Sequence, residues 1–206
     1  MGIVMRRLLG GAVVAGLIAA GGAPPQWSAA ADPETLTGRL LVATPKMVDP
    51  TFGQSVIYLV AHDDKGSLGV IVNEPVKEIS YGELFDLMQQ PRRELAGKVT
   101  VHFGGPVEPR VGFVLHTKDF MLAQHELTAG DMAVTTDPEM LAAIAGGHGP
   151  AKYIVSLGYA GWGPGQLEME MQQGAWLVVP SDPDLIFAPD PQQIWQRALA
   201  KDQTTL

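Results

Sequence analysis

The 206-residue chain contains no cysteine, so disulfides, thiolate nucleophiles, iron–sulfur clusters and cysteine-ligated zinc are all excluded. Basic residues are also scarce, with 14 Lys and Arg against 22 Asp and Glu and a net charge of −8. Binding to phosphate backbones depends on counterion release by Lys and Arg, and no basic cluster exceeds Arg92-Arg93, which Glu94 partly offsets. A nucleic-acid partner is therefore not expected. The longest apolar run, Leu8–Ala23, falls short of the ~20 residues that a membrane-spanning helix needs, and it carries glycines that make a poor permanent helix.

That run has a different use in view of its neighbours. Arg6 and Arg7 precede it, Pro24-Pro25 follow it, and Ser28-Ala29-Ala30-Ala31 ends in small residues before Asp32. Basic end, apolar middle, helix-breaking spacer and A-x-A site is the order of a secretory signal. Cleavage after Ala31 is expected, giving a signal peptide over 1–31, a single domain over 32–206 and a periplasmic or secreted product with no integral span. The alternatives are a retained anchor and a cytoplasmic protein. Loss of 1–31 removes Arg6 and Arg7 and no acid, taking the net charge to −10. About 175 remaining residues bury ~70% of their unfolded surface, enough to stand without covalent staples.

Strand-length apolar runs recur at Arg39–Ala43, Ser55–His62, Ser67–Asn73, Lys98–Phe103, Val111–His116, Met132–Thr136, Tyr153–Leu157 and Trp176–Val179. Asp63-Asp64-Lys65-Gly66 supplies turn chemistry for a hairpin between the second and third. The runs are continuous, which predicts strands covered on both faces. Helices are fewer. Ser80 and Glu83 form a capping-box pattern ahead of Leu84 and Phe85. Asp137-Pro138 and Asp190-Pro191 each read as N-cap and first-turn proline, and Gln166–Gln172 leans to helix because Gly and Pro precede it and Gly174 follows. Strands outnumber helices without strict alternation, which predicts an α+β fold with a mostly antiparallel sheet and a few short helices.

The densest glycine stretch is Leu157-Gly158-Tyr159-Ala160-Gly161-Trp162-Gly163-Pro164-Gly165-Gln166. It reads as a tight strand-to-helix turn, and Asn73-Glu74-Pro75 and Gly104-Gly105-Pro106 read as turns as well. Were the three to gather at one end of the sheet, Asn73, Gly105, His116, Tyr159, Trp162 and Gln166 would wall a ligand pocket for a small molecule or peptide. None of these glycines matches a P-loop or dinucleotide fingerprint.

Taken together, Ala43-Thr44-Pro45, Asp49-Pro50-Thr51-Phe52, Ser55-Val56-Ile57-Tyr58, His62, Asn73-Glu74-Pro75, Gly104-Gly105-Pro106-Val107, Gly112–His116, Leu157–Trp162, Gly165–Glu168 and Ala175-Trp176-Leu177 resemble the YqgE/AlgH family of bacterial proteins. The resemblance covers roughly residues 38–190. It implies a curved, barrel-like sheet flanked by helices, in a family without an established biochemical activity. A regulatory role in alginate production has been suggested for some members. Most relatives lack a signal peptide.

No complete catalytic constellation is legible. His62 and His116 end apolar runs and could be neighbours, but no spacing supplies a third metal ligand, so no metal or cofactor is expected. Ser55 and Ser156 lack a nucleophile-elbow setting. Glu168 reads as a helix-start charge and faces away from Glu170 if the segment is helical. The favoured expectation is an exported, non-enzymatic ligand-binding or regulatory domain. One alternative is a hydrolase-type enzyme with His116 and Glu168 as acid–base groups. Another, implied by the resemblance, is a transcriptional regulator.

Overall fold

The computed structural model describes residues 36–122 and 126–202. The proposed signal segment, its cleavage site and His125 lie outside the described residues.

Among the described residues, ten strands form one curled sheet. The order along its main path is β10-β1-β2-β3-β9-β6-β8-β7, with β4 and β5 branching from β9. The strands are β1 Arg39–Ala43, β2 Val56–Asp63, β3 Gly66–Ile71, β4 Pro75–Ser80, β5 Lys98–Phe103, β6 Val107–Thr117, β7 Glu126–Ala129, β8 Met132–Thr135, β9 Tyr153–Trp162 and β10 Trp176–Pro180. All pairings are antiparallel except β5 with β9. The curl brings the two ends of the order together. A Cβ placed on Gly130, in the β7–β8 turn, would lie 3.6 Å from the Ser181 hydroxyl just past β10. Asp131 in the same turn acts electrostatically on Tyr58 of β2, whose hydroxyl burial holds firmly protonated.

The continuous apolar runs are explained by burial of both faces. Along β1 to β3, Leu40, Val42, Val56, Tyr58, Val60, Leu68 and Val70 feed one core, and Leu41, Ala43, Ile57, Leu59 and Ile71 feed another. The first core extends to Phe113, Leu115, Met132, Val134 and Ile154. Helices α4 Pro183–Ile186 and α5 Pro191–Asp202 close it with Leu185, Ile186, Ile194 and Ala198. Trp195 fixes α5 by donating its indole N–H to the Ala43 carbonyl at 2.6 Å. On the opposite face, α1 Tyr81–Leu87 and α2 Pro138–Ala145 cover β4 and β5, while α3 Gln166–Gln172 covers β1 to β3. The caps form as their sequences require. Ser80 Oγ accepts from the Glu83 amide and Asp137 Oδ1 from the Glu139 amide. Glu83 does not complete the capping box; its carboxylate pairs with Lys77 Nζ at 2.7 Å.

Two expectations need correction. The stretch after Leu157 is not a turn: β9 continues through Gly158–Trp162, and only Gly163–Gly165 bends. Asn73-Glu74-Pro75 is not merely a turn either, because Pro75 opens strand β4. The glycines serve a change of partners. One edge of β9 pairs in parallel with β5 at Val155–Leu157, then antiparallel with β3 at Ala160–Trp162. At the changeover Gly105 (φ 147°) lies so close that an added Cβ would sit 2.2 Å from the Tyr159 carbonyl carbon, and one on Gly158 (φ 75°) 2.3 Å from the Gly105 oxygen. Only backbone without side chains can approach this closely.

This crossing predicts two different costs. Gly105→Ala must move the β9 backbone and is expected to lose about 3 kcal/mol or more of unfolding free energy. Gly165→Ala, at φ 70° with nothing within 4 Å of the new methyl, is expected to lose only about 1–2 kcal/mol. Urea denaturation measures both, and equal losses would show that the crossing tolerates a side chain.

Candidate functional site

Strand β9 carries the residues of interest to two ends of the sheet. His116 on β6 stands opposite Tyr153, while His62 on β2 stands opposite Ser67, which stands opposite Trp162. From Tyr153 to Trp162 the strand spans roughly 30 Å. His62 and His116 are therefore not neighbours. His116 and Glu168 do not meet either, so they cannot act as acid and base on one substrate atom.

His116 is fully buried. Its Nδ1 lies 2.9 Å from the Thr117 carbonyl, and its Nε2 is 3.9 Å from Glu126 Oε1, beyond hydrogen-bonding range. Glu126 Oε1 accepts from the Leu122 amide at 2.6 Å. His62 is held at both ring nitrogens: Nδ1 is 2.8 Å from Ser67 Oγ and Nε2 3.4 Å from Glu168 Oε1. A serine, imidazole and carboxylate in a row is an arrangement that can activate a hydroxyl. Here Ser67 is only 5% exposed, and the row ties the β2–β3 hairpin to the first turn of α3.

Trp162 and Gln166 belong to a second cluster at that end. Glu170 Oε2 accepts the indole N–H of Trp162 at 3.0 Å and of Trp176 at 2.7 Å, and Gln166 Nε2 donates to Oε1 at 2.9 Å. The two indoles meet edge to face at 5.9 Å, and Phe52 stacks edge-on to Trp176 at 5.8 Å. Gln166 Oε1 also receives the Gly163 amide. These polar groups are satisfied within the fold. Glu170 is the node, and the sequence hinted at it only through its alternation with Glu168.

The remaining residues sit at the crossing. Tyr159 packs edge-on against Phe113 at 5.9 Å, and Gly105 lies on its backbone. Asn73 accepts the Val56 amide at 2.8 Å and donates to the Gln54 carbonyl at 2.9 Å, latching the preceding loop to the end of β3. The Phe103 amide reaches the Glu74 carbonyl and the Ile71 amide reaches Gly104. The stretches around 73, 105 and 159 meet in mid-sheet, not at one end of it, and Trp162, Gln166 and His116 stand apart from them.

Asn73 also lines a sizeable opening among the described residues. A groove of about 500 Å³ runs between Asn73-Glu74-Pro75-Val76 and Asp190-Pro191-Gln192 at the start of α5. It holds two carboxylates. Burial raises Glu74 above the ordinary carboxylate range. Asp190 caps α5, accepting from the Gln192 amide and from Gln193 Nε2. Glu74 and Asp190 were not expected as site residues, because sequences 116 positions apart give no sign of meeting. Among the described residues, no group of three or more His, Asp or Glu is placed to hold a metal ion, and no helix is long and apolar enough to cross a membrane.

A curled half-barrel of mostly antiparallel strands, closed by α5 and shielded outside by three short helices, defines the class of protein. The AlgH-like family model matches residues 40–205, and the chain belongs to that family. UPF0301 proteins are its curated relatives. One from Cereibacter sphaeroides is 39% identical over 161 residues, covering 78% of this chain and 88% of its own. One from a Methylobacterium species is 45% identical over 174 residues, covering 80% and 82%. The fold is that of the AlgH protein from Pseudomonas aeruginosa, whose solution structure is 36% identical with a TM-score of 0.67, covering 84% of this chain and 91% of that one. A Corynebacterium diphtheriae protein solved by X-ray crystallography shares the fold at 22% identity and a TM-score of 0.60, covering 80% and 85%.

Removing the Glu170 carboxylate strands two largely buried indole donors, each costing about 1–3 kcal/mol when unpaired. Glu170→Ala is expected to destabilise the fold by about 2–4 kcal/mol and to shift tryptophan emission to the red; an unchanged spectrum would show that the indoles keep other partners. A second expectation concerns pH. Burial lowers the affinity of His102 for a proton, outweighing the Val155 and Thr100 carbonyls, which favour the charged ring. The unfolded chain takes up that proton as pH falls through about 6.5 while the folded chain resists. Stability is thus complete above that pH and declines below it. Urea midpoints between pH 7.5 and 5 should fall, less steeply in His102→Gln; parallel slopes would assign the decline to other groups.

Proposed function

We propose that this chain is an exported, non-enzymatic ligand-binding domain with a regulatory role, and that its ligand occupies the groove between Asn73–Val76 and Asp190–Gln192. The groove carries the reading. Its volume of about 500 Å³ lies within the range of ligand sites, and its two walls come from a strand corner and a helix start. Asn73, one of the residues expected to wall a pocket, lines it. By contrast, the side chains with catalytic potential, His62, His116, Glu168 and Glu170, are each engaged by, or buried against, neighbours in the fold.

Export rests on the order of charge, apolarity and small residues over 1–31. A periplasmic protein has no access to the chromosome, and the net charge of −8 opposes DNA binding in any compartment. Regulation therefore proceeds through a bound molecule or protein rather than through an operator.

Titration of the isotope-labelled protein with periplasmic small-molecule and peptide fractions is expected to move amide signals at 73–76 and 190–192 and to leave those near His116 in place. Ligand-induced shifts confined to another surface would overturn the groove assignment. N-terminal sequencing of protein from fractionated cells is expected to give Asp32 in the periplasm, and an uncleaved cytosolic product would remove export.

A further inference from the structure

We propose that the occupant of this groove is an extended, cationic peptide segment that adds to the free edge of β4 as a further strand and places a Lys or Arg side chain between Glu74 and Asp190. The inference rests on the groove being the binding site and names the class of partner it takes.

Three observations bear on it. First, the groove does not end blindly. Glu74-Pro75-Val76 both line it and lead into β4, which pairs with β5 on one side and with no strand on the other among the described residues. An unpaired edge presents a row of backbone donors and acceptors, and adding a strand is the simplest way to satisfy them. Pro75 has no N–H to offer, so donors to an added strand come only from the residues after it.

Second, this edge is poorly covered. Pro75, Val76, Lys77 and Glu78 are all exposed, whereas β1, β2 and β3 are almost wholly buried. Val76 is 63% exposed, an apolar side chain on an edge strand. Lys77 and Glu78 are directed to Glu83 and Lys98, at 2.7 and 3.8 Å. Their charges guard the edge against chance pairing while leaving its main chain open.

Third, the groove is acidic, and among the described residues no Lys or Arg lines it. Ionised carboxylates are acceptors only, and each oxygen takes more than one donor. Asp190 spends one lone pair per oxygen on the helix start, and among the described residues no hydrogen bond reaches the Glu74 carboxylate. Burial already disfavours charge on Glu74, and an ammonium or guanidinium beside it would reverse that. A small free amine would answer the carboxylates but leave Val76 and the β4 main chain uncovered. Only a segment that is both extended and cationic answers all three.

The experiment uses the full chain and four probes: an eight-residue Val/Thr peptide with a central Lys-Thr-Lys, its Glu-Thr-Glu counterpart, the Lys peptide N-methylated on alternate amides, and cadaverine. Fluorescence anisotropy reads peptide affinity, competition with the labelled Lys peptide reads cadaverine, and hydrogen exchange reads the β4 amides. The Lys peptide is expected to bind and to protect those amides between Val76 and Ser80 that point away from β5. The Glu peptide and the N-methylated peptide that masks the pairing amides should each bind at least tenfold more weakly, as should the Lys peptide with Glu74→Gln or Asp190→Asn. Asn retains the capping oxygen, and circular dichroism verifies that both variants fold. Equal binding by the N-methylated peptide would overturn strand addition, and cadaverine competing as well as the Lys peptide would overturn the peptide requirement; the groove would stand in both cases. Failure of the Lys peptide while another compound shifts residues 73–76 and 190–192 overturns the inference alone. Failure of every compound to reach the groove overturns both readings.

Discussion

The architecture depends on a single backbone contact. Gly105 and Gly158 lie against each other where β9 releases β5 and takes up β3, and neither position has room for one further carbon atom. A strand can exchange neighbours only if the departing and arriving chains both approach it within hydrogen-bonding distance in a few residues. The Gly104 amide still bonds to Leu157, and its carbonyl already receives Ile71. Two branches of the sheet are thereby joined with little loss of main-chain hydrogen bonding, and the edge strand β4 is left projecting beside the α5 start. The groove is a geometric result of that exchange.

Packing, not surface charge, keeps the two branches in place. The ion pairs Lys77–Glu83, Arg92–Asp86 and Lys152–Asp184 join side chains that are about half or more exposed, and such pairs contribute about 1 kcal/mol or less. The partly buried polar contacts around α3 matter more. Glu170 receives two indole donors and His62 links Ser67 to Glu168. These contacts hold a seven-residue helix too short to persist alone. The same contacts withdraw from chemistry the residues that look most reactive in the sequence.

Much of the fold is legible because local rules and tertiary demands agree. The runs at Arg39–Ala43 and Lys98–Phe103 are strands with those boundaries, and the cap signals at Ser80, Asp137 and Asp190 each begin a helix. Legibility fails where a residue's local habit is overridden. Gly158 and Gly161 suggest a bend, yet they lie within a strand, because close approach of another backbone needs glycine as much as a turn does. Pro75 suggests a stop and instead opens an edge strand, where a missing N–H costs nothing. The site is less legible still. Asn73 is within reach because turn chemistry marks it, but Glu74 and Asp190 come to share a groove only through the curl that brings the start of α5 beside the corner at 73–76. Glu126, buried beside His116, and Glu170 between two indoles likewise depend on registers that no local pattern encodes.

The acidity of the chain takes on a more specific meaning in this setting. Spread evenly, an excess of carboxylates does little beyond keeping a protein soluble and away from nucleic acid. Here two of them stand at an opening with no lining cation among the described residues, next to an edge whose own charged side chains are turned toward neighbours. Charge of this kind steers encounter and excludes wrong partners more than it adds affinity, whereas main-chain pairing along an edge supplies affinity with little regard for sequence. A surface that combines the two would select for charge and extension rather than for a particular motif. That division of labour suits a domain whose own reactive side chains are committed to holding it together.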